Sequence, residues 1–241
     1  MIAPGPGIAH TTPAIKPRLV DVHAPVLSRF GVSPVADGDG QPVGTASTDP
    51  FDGQVGALQT RVDETGIPSD VKGWTRSFPS GWTVDNTGLG SGGVTEWRGW
   101  TLSNDDFWSR TQAGQQRENN VRARGVFAVA DSDEWADKAY TGTYNIRMSA
   151  PSYSVAGART ATISFASHYL KEGSETATVS VSFDGGTATK LLTYDGDAVA
   201  KLEKLSVQVP SGASTMRVTW SLTNGNNNWY WAVDNPEVSV S

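Results

Sequence analysis

The sequence predicts an all-β fold, an antiparallel jelly-roll β-sandwich that follows an extended, proline-rich N-terminal arm. Three observations lead to this prediction. Several segments after residue 73 alternate apolar and polar residues with a period of two, as strands do. Glycine, asparagine and aspartate turns separate these segments. Nine of the 13 prolines lie before residue 73, whereas all 9 tryptophans follow it. We therefore expect an arm at residues 1–72 and the sandwich at residues 73–241.

The predicted arm contains only two aromatic residues, Phe30 and Phe51. Proline fixes φ and biases the preceding residue towards extended conformations, so this segment favours an extended chain. With so few large apolar side chains it has no core of its own. We expect either a disordered tail or an arm that lies on a neighbouring subunit or partner. Within it, residues 55–67 predict a short helix or turn with Leu58, Val62 and Ile67 inward.

The predicted sandwich contains three segments with clear alternation. Their inward residues are Ala161, Ile163 and Phe165, then Ala177, Val179, Val181 and Phe183, and then Met216, Val218, Trp220 and Leu222. Asp184-Gly185-Gly186 predicts a hairpin turn, because these residues tolerate positive φ. The asparagine-rich residues 224–228 predict the loop that joins the last two strands. No segment after residue 73 shows helical periodicity, and we expect about ten strands.

Composition and charge exclude several classes of partner. The formal net charge is −6, the sequence pI is about 5.0 and there is no basic run, so we expect no nucleic-acid binding. The chain has no cysteine, which excludes disulfides and cysteine-ligated zinc. It shows neither a signal-peptide pattern nor an apolar stretch of membrane-spanning length, so we expect no membrane partner.

Five short pieces of the predicted sandwich resemble a known type of module. They are residues 78–82 (FPSGW), 96–100 (EWRGW), 107–108 (FW), 129–135 (VADSDEW) and 229–235 (WYWAVDN). In this order they are similar to a jelly-roll module that accompanies bacterial secreted hydrolases. The closing WAVDN and VSV also resemble the last strand of MAM-type and carbohydrate-binding jelly rolls. The resemblance covers roughly residues 74–241 and implies a binding or structural role, with catalysis in a separate domain. We therefore expect no enzymatic activity.

An acidic cluster is the candidate metal site. Asp131, Asp133, Glu134 and Asp137 lie within seven residues, and Ca²⁺ takes six to eight oxygen ligands. The resemblance implies a structural Ca²⁺ near a loop and the Asp of the final strand, which here is Asp234. We expect either a structural Ca²⁺ held by Asp131, Asp133, Asp137 and Asp234, or a solvated acidic turn.

Aromatic residues are the candidate glycan-binding groups, because exposed rings stack on sugars. Trp229 and Tyr230 flank the asparagine-rich loop and Trp135 lies in the acidic loop, so these three are the predicted surface contacts. Most other tryptophans are expected in the core. They are Trp82, Trp97, Trp100, Trp220 and Trp231. His168 is predicted on the outer face of its strand, because it alternates with the inward positions.

Three functional hypotheses follow. The first is a non-catalytic structural or decoration protein of a phage virion, on the capsid or tail. Residues 1–72 would anchor it to other virion proteins, repeated copies would occur in the assembly, and the sandwich would bind host-surface glycans. The second is a carbohydrate-binding module of a secreted, extracellular bacterial protein. The third, a glycosidase, needs two acids across a cleft. The pairs Asp105-Asp106 and Asp85-Asn86, of which the second has a single acid, are more typical of exposed turns.

Overall fold

The chain divides into two units, Met1–Thr48 and Asp49–Ser241. The structure, a computed structural model, describes residues 19–22, 26–27, 30–33 and 47–241. In the first unit it shows a 3₁₀ helix at Leu19–Val22. It also shows a turn in which the backbone N–H groups of Phe30 and Val32 donate to Leu27 O, each at 3.0 Å. Half of the arm predicted at residues 1–72, including His10 and His23, lies outside the described residues.

The second unit is an antiparallel β-sandwich, which confirms the predicted fold class. Its strands are β1 (Gln59–Thr60), β2 (Lys72–Thr75), β3 (Thr83–Asp85), β4 (Ser91–Gly92), β5 (Thr101–Asn104), β6 (Val126–Asp131), β7 (Tyr140–Thr141), β8 (Tyr144–Ser149), β9 (Tyr153–Ser154), β10 (Thr160–Tyr169), β11 (Thr176–Phe183), β12 (Thr189–Thr193), β13 (Ala198–Gln208), β14 (Thr215–Gly225) and β15 (Tyr230–Val240). One sheet has seven strands in the order β1-β2-β5-β6-β15-β10-β13. The other has the order β12-β11-β14-β8-β3, with β9 paired to β14, and β4 pairs separately with β7.

The three alternating segments form β10, β11 and β14 with the predicted faces inward. Their predicted inward residues are buried, except for Phe183, which is half-buried. The predicted hairpin joins β11 to β12, with Asp184 at φ 49° and Gly185 at φ 73°. The asparagine-rich loop joins β14 to β15 as predicted, and because these strands belong to different sheets, it crosses one end of the sandwich.

Aromatic side chains fill the space between the two sheets. Trp82 stacks on Trp220 at 5.8 Å between ring centroids, and Phe165 meets the same Trp220 edge-on at 5.7 Å. Trp100 lies 5.6 Å from Trp231. The five tryptophans expected in the core are all buried, as predicted.

Two one-turn α-helices follow strands: α1 (Asp105–Trp108) after β5, and α2 (Ser132–Ala136) after β6. Each begins at a side-chain cap, because Asn104 Oδ1 accepts from Phe107 N–H at 2.9 Å and Asp131 Oδ1 accepts from Glu134 N–H at 3.0 Å. A single turn is too short to produce helical periodicity in the sequence, so both were missed. In the second unit 3₁₀ helices occupy Asp52–Ala57, Thr95–Trp97 and Arg117–Asn119. No helix in the described ranges is long and apolar enough to cross a membrane.

The boundary predicted between residues 72 and 73 falls inside the second unit. Phe51, Leu58 and Ile67 are buried in the core, and the Phe51 ring lies 4.8 Å from Trp82. Val62, predicted to point inward, is instead 60% exposed. The turn around it is held by its backbone, since the buried carboxylate of Glu96 accepts hydrogen bonds from the N–H groups of residues 62, 63 and 64.

Candidate functional site

His168 lies on the outer face of the seven-stranded sheet, as predicted, but it is buried. Its strand neighbour Tyr169 pairs with Trp231 and faces the core, so alternation turns His168 outward. Residues 109–125 cover it there. His168 Nδ1 accepts from Ala200 N–H at 3.2 Å, so Nε2 carries the proton and donates to Gln116 O at 3.1 Å. Burial lowers the pKa of His168 to about 4.

Arg117 belongs to this covering segment, and its side chain has no exposed surface. Its Nη2 atom lies 2.8 Å from Glu134 Oε1, 3.1 Å from Asp131 Oδ2 and 3.4 Å from Asp133 Oδ2. The guanidinium also packs against two rings, with its Cζ atom 5.0 Å from the centroid of Tyr230 and 5.8 Å from that of Trp108. The acidic cluster predicted as a metal site therefore surrounds an internal arginine.

The four predicted calcium ligands do not converge. Asp131 pairs with Tyr230 across β6 and β15, and Asp234 lies four residues further along β15. At the rise of a strand this separates them by roughly 13 Å. Asp234 instead hydrogen-bonds with Asp49 and accepts from Arg124 N–H at 2.7 Å, while Asp137 is exposed. The described residues contain no group of three or more His, Cys, Asp or Glu side chains arranged to hold a metal.

Several buried carboxyl groups have raised pKa values. Burial is the largest cause in each case, and neighbouring carboxylates add to it. The pKa of Glu134 rises to about 9, that of Glu64 to about 7 and that of Asp133 to about 6. The pKa values of Glu175 and Asp234 also lie well above the ordinary range, again mainly because of burial.

Trp135 and Tyr230, two of the predicted glycan contacts, are fully buried, so that prediction is corrected for both. Trp135 packs on Tyr144, with ring centroids 5.3 Å apart, and its Nε1–H donates to Gly92 O at 3.1 Å. Tyr230 lies under the covering segment, where its hydroxyl donates to Gln115 O at 2.6 Å. Neither ring has a free face on which a sugar can stack.

Trp229, the third predicted contact, is partly exposed at the end of the asparagine-rich loop. A second partly exposed ring, Tyr140, reaches the loop from β7, and its hydroxyl donates to Asn226 Oδ1 at 2.7 Å. Asn226 and Asn227 in the same loop are exposed. We name the surface formed by Tyr140 and residues 224–229 the asparagine ridge.

Internal hydrogen bonds hold the asparagine ridge in one conformation. Asn224 and Asn227 adopt positive φ angles of 59° and 54°, which asparagine tolerates better than most residues. Asn226 N–H donates to Asn228 Oδ1 at 2.8 Å. Asn224 N–H donates to Asn145 Oδ1 of β8 at 2.7 Å. The loop is therefore tied both to itself and to a neighbouring strand.

Sequence reasoning missed Tyr140 as a member of this surface. It lies in a two-residue strand and is separated from Asn226 by 86 positions. The pairing of β4 with β7 places this strand, and that pairing leaves no local periodic signal in so short a segment. Only the three-dimensional structure brings the ring to the loop.

These features define a β-sandwich protein with a rigid amide-and-aromatic loop surface. No family model and no curated protein matches the chain. Solved structures that match include TmCBM61 in complex with β-1,4-galactotriose, at 12% identity and TM-score 0.43, covering 67% of this chain and 90% of that chain. The K1 cleaved adhesin domain of Lys-gingipain from Porphyromonas gingivalis W83 matches at 13% identity and TM-score 0.45, covering 69% and 94%.

A third match is the enzymatically active domain of tailspike protein 4 from bacteriophage CBA120, at 12% identity and TM-score 0.38. It covers 67% of this chain but 20% of that chain. Carbohydrate-binding modules are thus among the matched structures, in agreement with the resemblance stated from the sequence. With TM-scores below 0.5, none of these likenesses assigns a ligand to this chain.

Proposed function

We propose that this protein is a non-catalytic binding protein whose sandwich binds glycans at the asparagine ridge. The observation that carries the proposal is the ridge itself, where Trp229 and exposed asparagine amides lie on a fixed loop that Tyr140 contacts from β7. Aromatic rings supply flat apolar platforms, and amide groups both donate and accept hydrogen bonds as sugar hydroxyls require. A loop that is already ordered loses little conformational entropy on binding.

The flat outer face of the six-stranded sheet is the less suitable surface. Its central outward positions carry hydroxyl and basic side chains, including Thr178, Ser180, Thr219, Ser221 and Arg147. These positions offer no ring on which a sugar can stack. The ridge therefore combines the two chemistries that glycan recognition uses.

The buried positions of the acids support a non-catalytic role. A glycosidase needs two carboxyl groups that reach the scissile bond. Glu134, Glu175 and Asp234 have strongly raised pKa values, but each is at most 2% exposed. The other acids considered for a glycosidase, in Asp105-Asp106 and Asp85-Asn86, lie at the surface. Asp106 forms a salt bridge with exposed Arg110, and Asp85 accepts a hydrogen bond from Thr87.

We further propose that the protein is part of a phage virion; the alternative is that it belongs to a secreted, extracellular protein. The segment before Asp49 is proline-rich and carries few large apolar residues, a composition suited to an extended anchor that binds capsid or tail proteins. Repeated copies would then display the sandwich outward. The proposed anchor does not include residues 49–72, because they belong to the sandwich unit.

Two experiments test these parts separately. On a glycan array, wild type is expected to bind a defined set of glycans, and Trp229→Ala is expected to lose them. Tyr140→Phe removes the ridge hydroxyl, and Tyr153→Phe is the matched control on β9. Equal binding by wild type and Trp229→Ala would overturn the ridge proposal. Incorporation of residues 49–241 into virions as efficiently as the full chain would overturn the anchor.

A further inference from the structure

Glu175 lies directly beneath the asparagine ridge, in the turn between β10 and β11. It has no exposed surface, and its Oε2 atom lies 2.6 Å from Ser132 Oγ. Among the described residues Oε1 has no hydrogen-bond partner. A β-carbon at Gly225 would lie 2.9 Å from Oε2, so the absence of a side chain there lets the loop pack directly on the carboxyl group.

Ser132 links this carboxyl group to the loop. Its Oγ atom lies 3.1 Å from the carbonyl oxygens of both Asn228 and Trp229 and accepts from Asn228 N–H at 3.2 Å. A serine hydroxyl has a single proton to donate. When Glu175 is protonated, its O–H can donate to Ser132 Oγ, which leaves the serine proton for a loop carbonyl.

The hydrogen-bond pattern around Ser132 changes when Glu175 is ionised. A carboxylate only accepts hydrogen bonds, so Ser132 must then donate its proton to Glu175. The carbonyl of Asn228 loses its donor, and an unpaired charge is left in a dry interior. Both effects push the carboxylate and the loop apart.

We propose that Glu175 and Ser132 form a latch that holds the asparagine ridge in its glycan-binding shape, and that the latch opens when Glu175 loses its proton. The glycan part rests on the proposed function, whereas the latch itself is a property of the free protein. Glu175 is thus a positioning residue, since it acts on the ligand surface through Ser132.

The groups that face Glu175 come from four elements. Burial raises its pKa most, and the hydrogen bond from Ser132 lowers it. Asp131 at the end of β6 and Glu172 in its own turn raise it further, and Lys171 lowers it. Tyr144 of β8 packs against Gly225, and the hydroxyl of Tyr169 of β10 donates to Glu175 O at 3.2 Å. The pKa values of both tyrosines are raised by burial, so they stay neutral while Glu175 titrates.

The latch is tested first without any ligand. The amide resonances of Asn226 and Asn228 and the indole resonance of Trp229 are followed by NMR from about pH 5 to about pH 9.5. In wild type they are expected to move together with one midpoint, well above the ordinary pKa of a glutamate. In Glu175→Gln, which keeps a neutral donor at this place, that transition is expected to vanish. Glu172→Gln, which removes a neighbouring charge in the same turn, is the control and is expected to keep the transition, with its midpoint moved somewhat lower.

Ser132→Ala is the second variant, and a melting curve establishes that each variant is folded. Because it lacks the linking hydroxyl, its ridge resonances are expected to be shifted at every pH and to lack the wild-type transition. A transition in Glu175→Gln or Ser132→Ala with the wild-type midpoint would overturn the latch.

Binding of a glycan identified on the array supplies the second readout. If about nine in ten molecules open once Glu175 is ionised, the apparent affinity of wild type falls roughly tenfold, whereas that of Glu175→Gln is unchanged. Resonances that titrate in a protein that binds no glycan support the latch and overturn the proposed function. Glycan binding without any titration of the ridge supports the proposed function and overturns the latch.

Discussion

The buried guanidinium of Arg117 faces three carboxyl groups, of which those of Asp131 and Glu134 are buried as well. Removing one partner of a buried ion pair leaves uncompensated charge and costs about 3–5 kcal/mol, whereas an exposed pair contributes below about 1 kcal/mol. Arg117→Met is therefore expected to lower the free energy of unfolding by about 3–5 kcal/mol, measured by urea denaturation near neutral pH.

Arg110→Met is the matched control, because Arg110 pairs with Asp106 at 2.7 Å while both side chains remain about half exposed. It is expected to change stability by less than about 1 kcal/mol. Similar losses for the two variants would show that the charges around Arg117 are better solvated than the structure indicates.

Ala200 adopts a φ of 43°, the left-handed region that disfavours a β-carbon. Its N–H is the donor to His168, so the backbone is held there by a hydrogen bond. Ala200→Gly is expected to raise the free energy of unfolding by about 1 kcal/mol, because relief of the steric cost exceeds the added chain entropy. Ala198→Gly in the same strand, which lacks a positive φ, is expected to lower it by about as much. Chemical denaturation checks both, and equal destabilisation would contradict the idea.

At the scale of elements, the segment that leads into β1 and β2 is part of the sandwich. Phe51 is fully buried against Trp82, whereas Val55 in the 3₁₀ helix that follows it is 37% exposed. Truncating a buried Phe costs about 3–5 kcal/mol. Phe51→Ala is therefore expected to destabilise the protein by that amount in a denaturant titration, and Val55→Ala by less than about 0.5 kcal/mol. An arm outside the domain, as the predicted boundary implied, would leave both variants as stable as wild type.

Features set by local sequence were predicted, whereas features set by contacts between distant segments were not. The faces of β10, β11 and β14 were predicted, because alternation within a strand is a local pattern that burial imposes. The boundary at residue 72 was wrong, because Phe51, Leu58 and Ile67 need no core of their own when they complete that of the sandwich. The composition of a segment indicates whether it can form a core of its own, but not whether it packs into the core of a neighbouring segment.

The candidate site was predictable only in part for a related reason. The asparagine loop and Trp229 follow from sequence, since a run of asparagines between two strands indicates a turn. The burial of Trp135, Tyr230 and His168 does not follow, because it depends on packing by segments distant in the chain. Residues 109–125 contact His168 through Gln116 and Tyr230 through Gln115, but they show no periodic sequence pattern that predicts these contacts.

At the scale of the whole molecule, the buried carboxyl groups make stability depend on pH. Glu64 and Glu134 have folded-state pKa values of about 7 and about 9. An unfolded Glu titrates near about 4.3, so between these values the folded protein binds more protons than the unfolded chain. The stability that these groups contribute is present at low pH and is lost as pH rises through the folded pKa. His168 acts in the opposite sense, but only below about pH 6.5.

Above neutrality the carboxyl effect therefore acts without opposition from His168, and the free energy of unfolding is expected to fall steadily from about pH 7 to about pH 9. Urea denaturation across this range measures the slope. Glu134→Gln keeps an acceptor for Arg117 and cannot ionise, so its slope is expected to be shallower than that of wild type. Glu237→Gln, on the exposed end of β15, is the control and is expected to reproduce the wild-type slope. A Glu134→Gln slope as steep as wild type would mean that Glu134 is already ionised at neutral pH, held in that state by Arg117 at 2.8 Å.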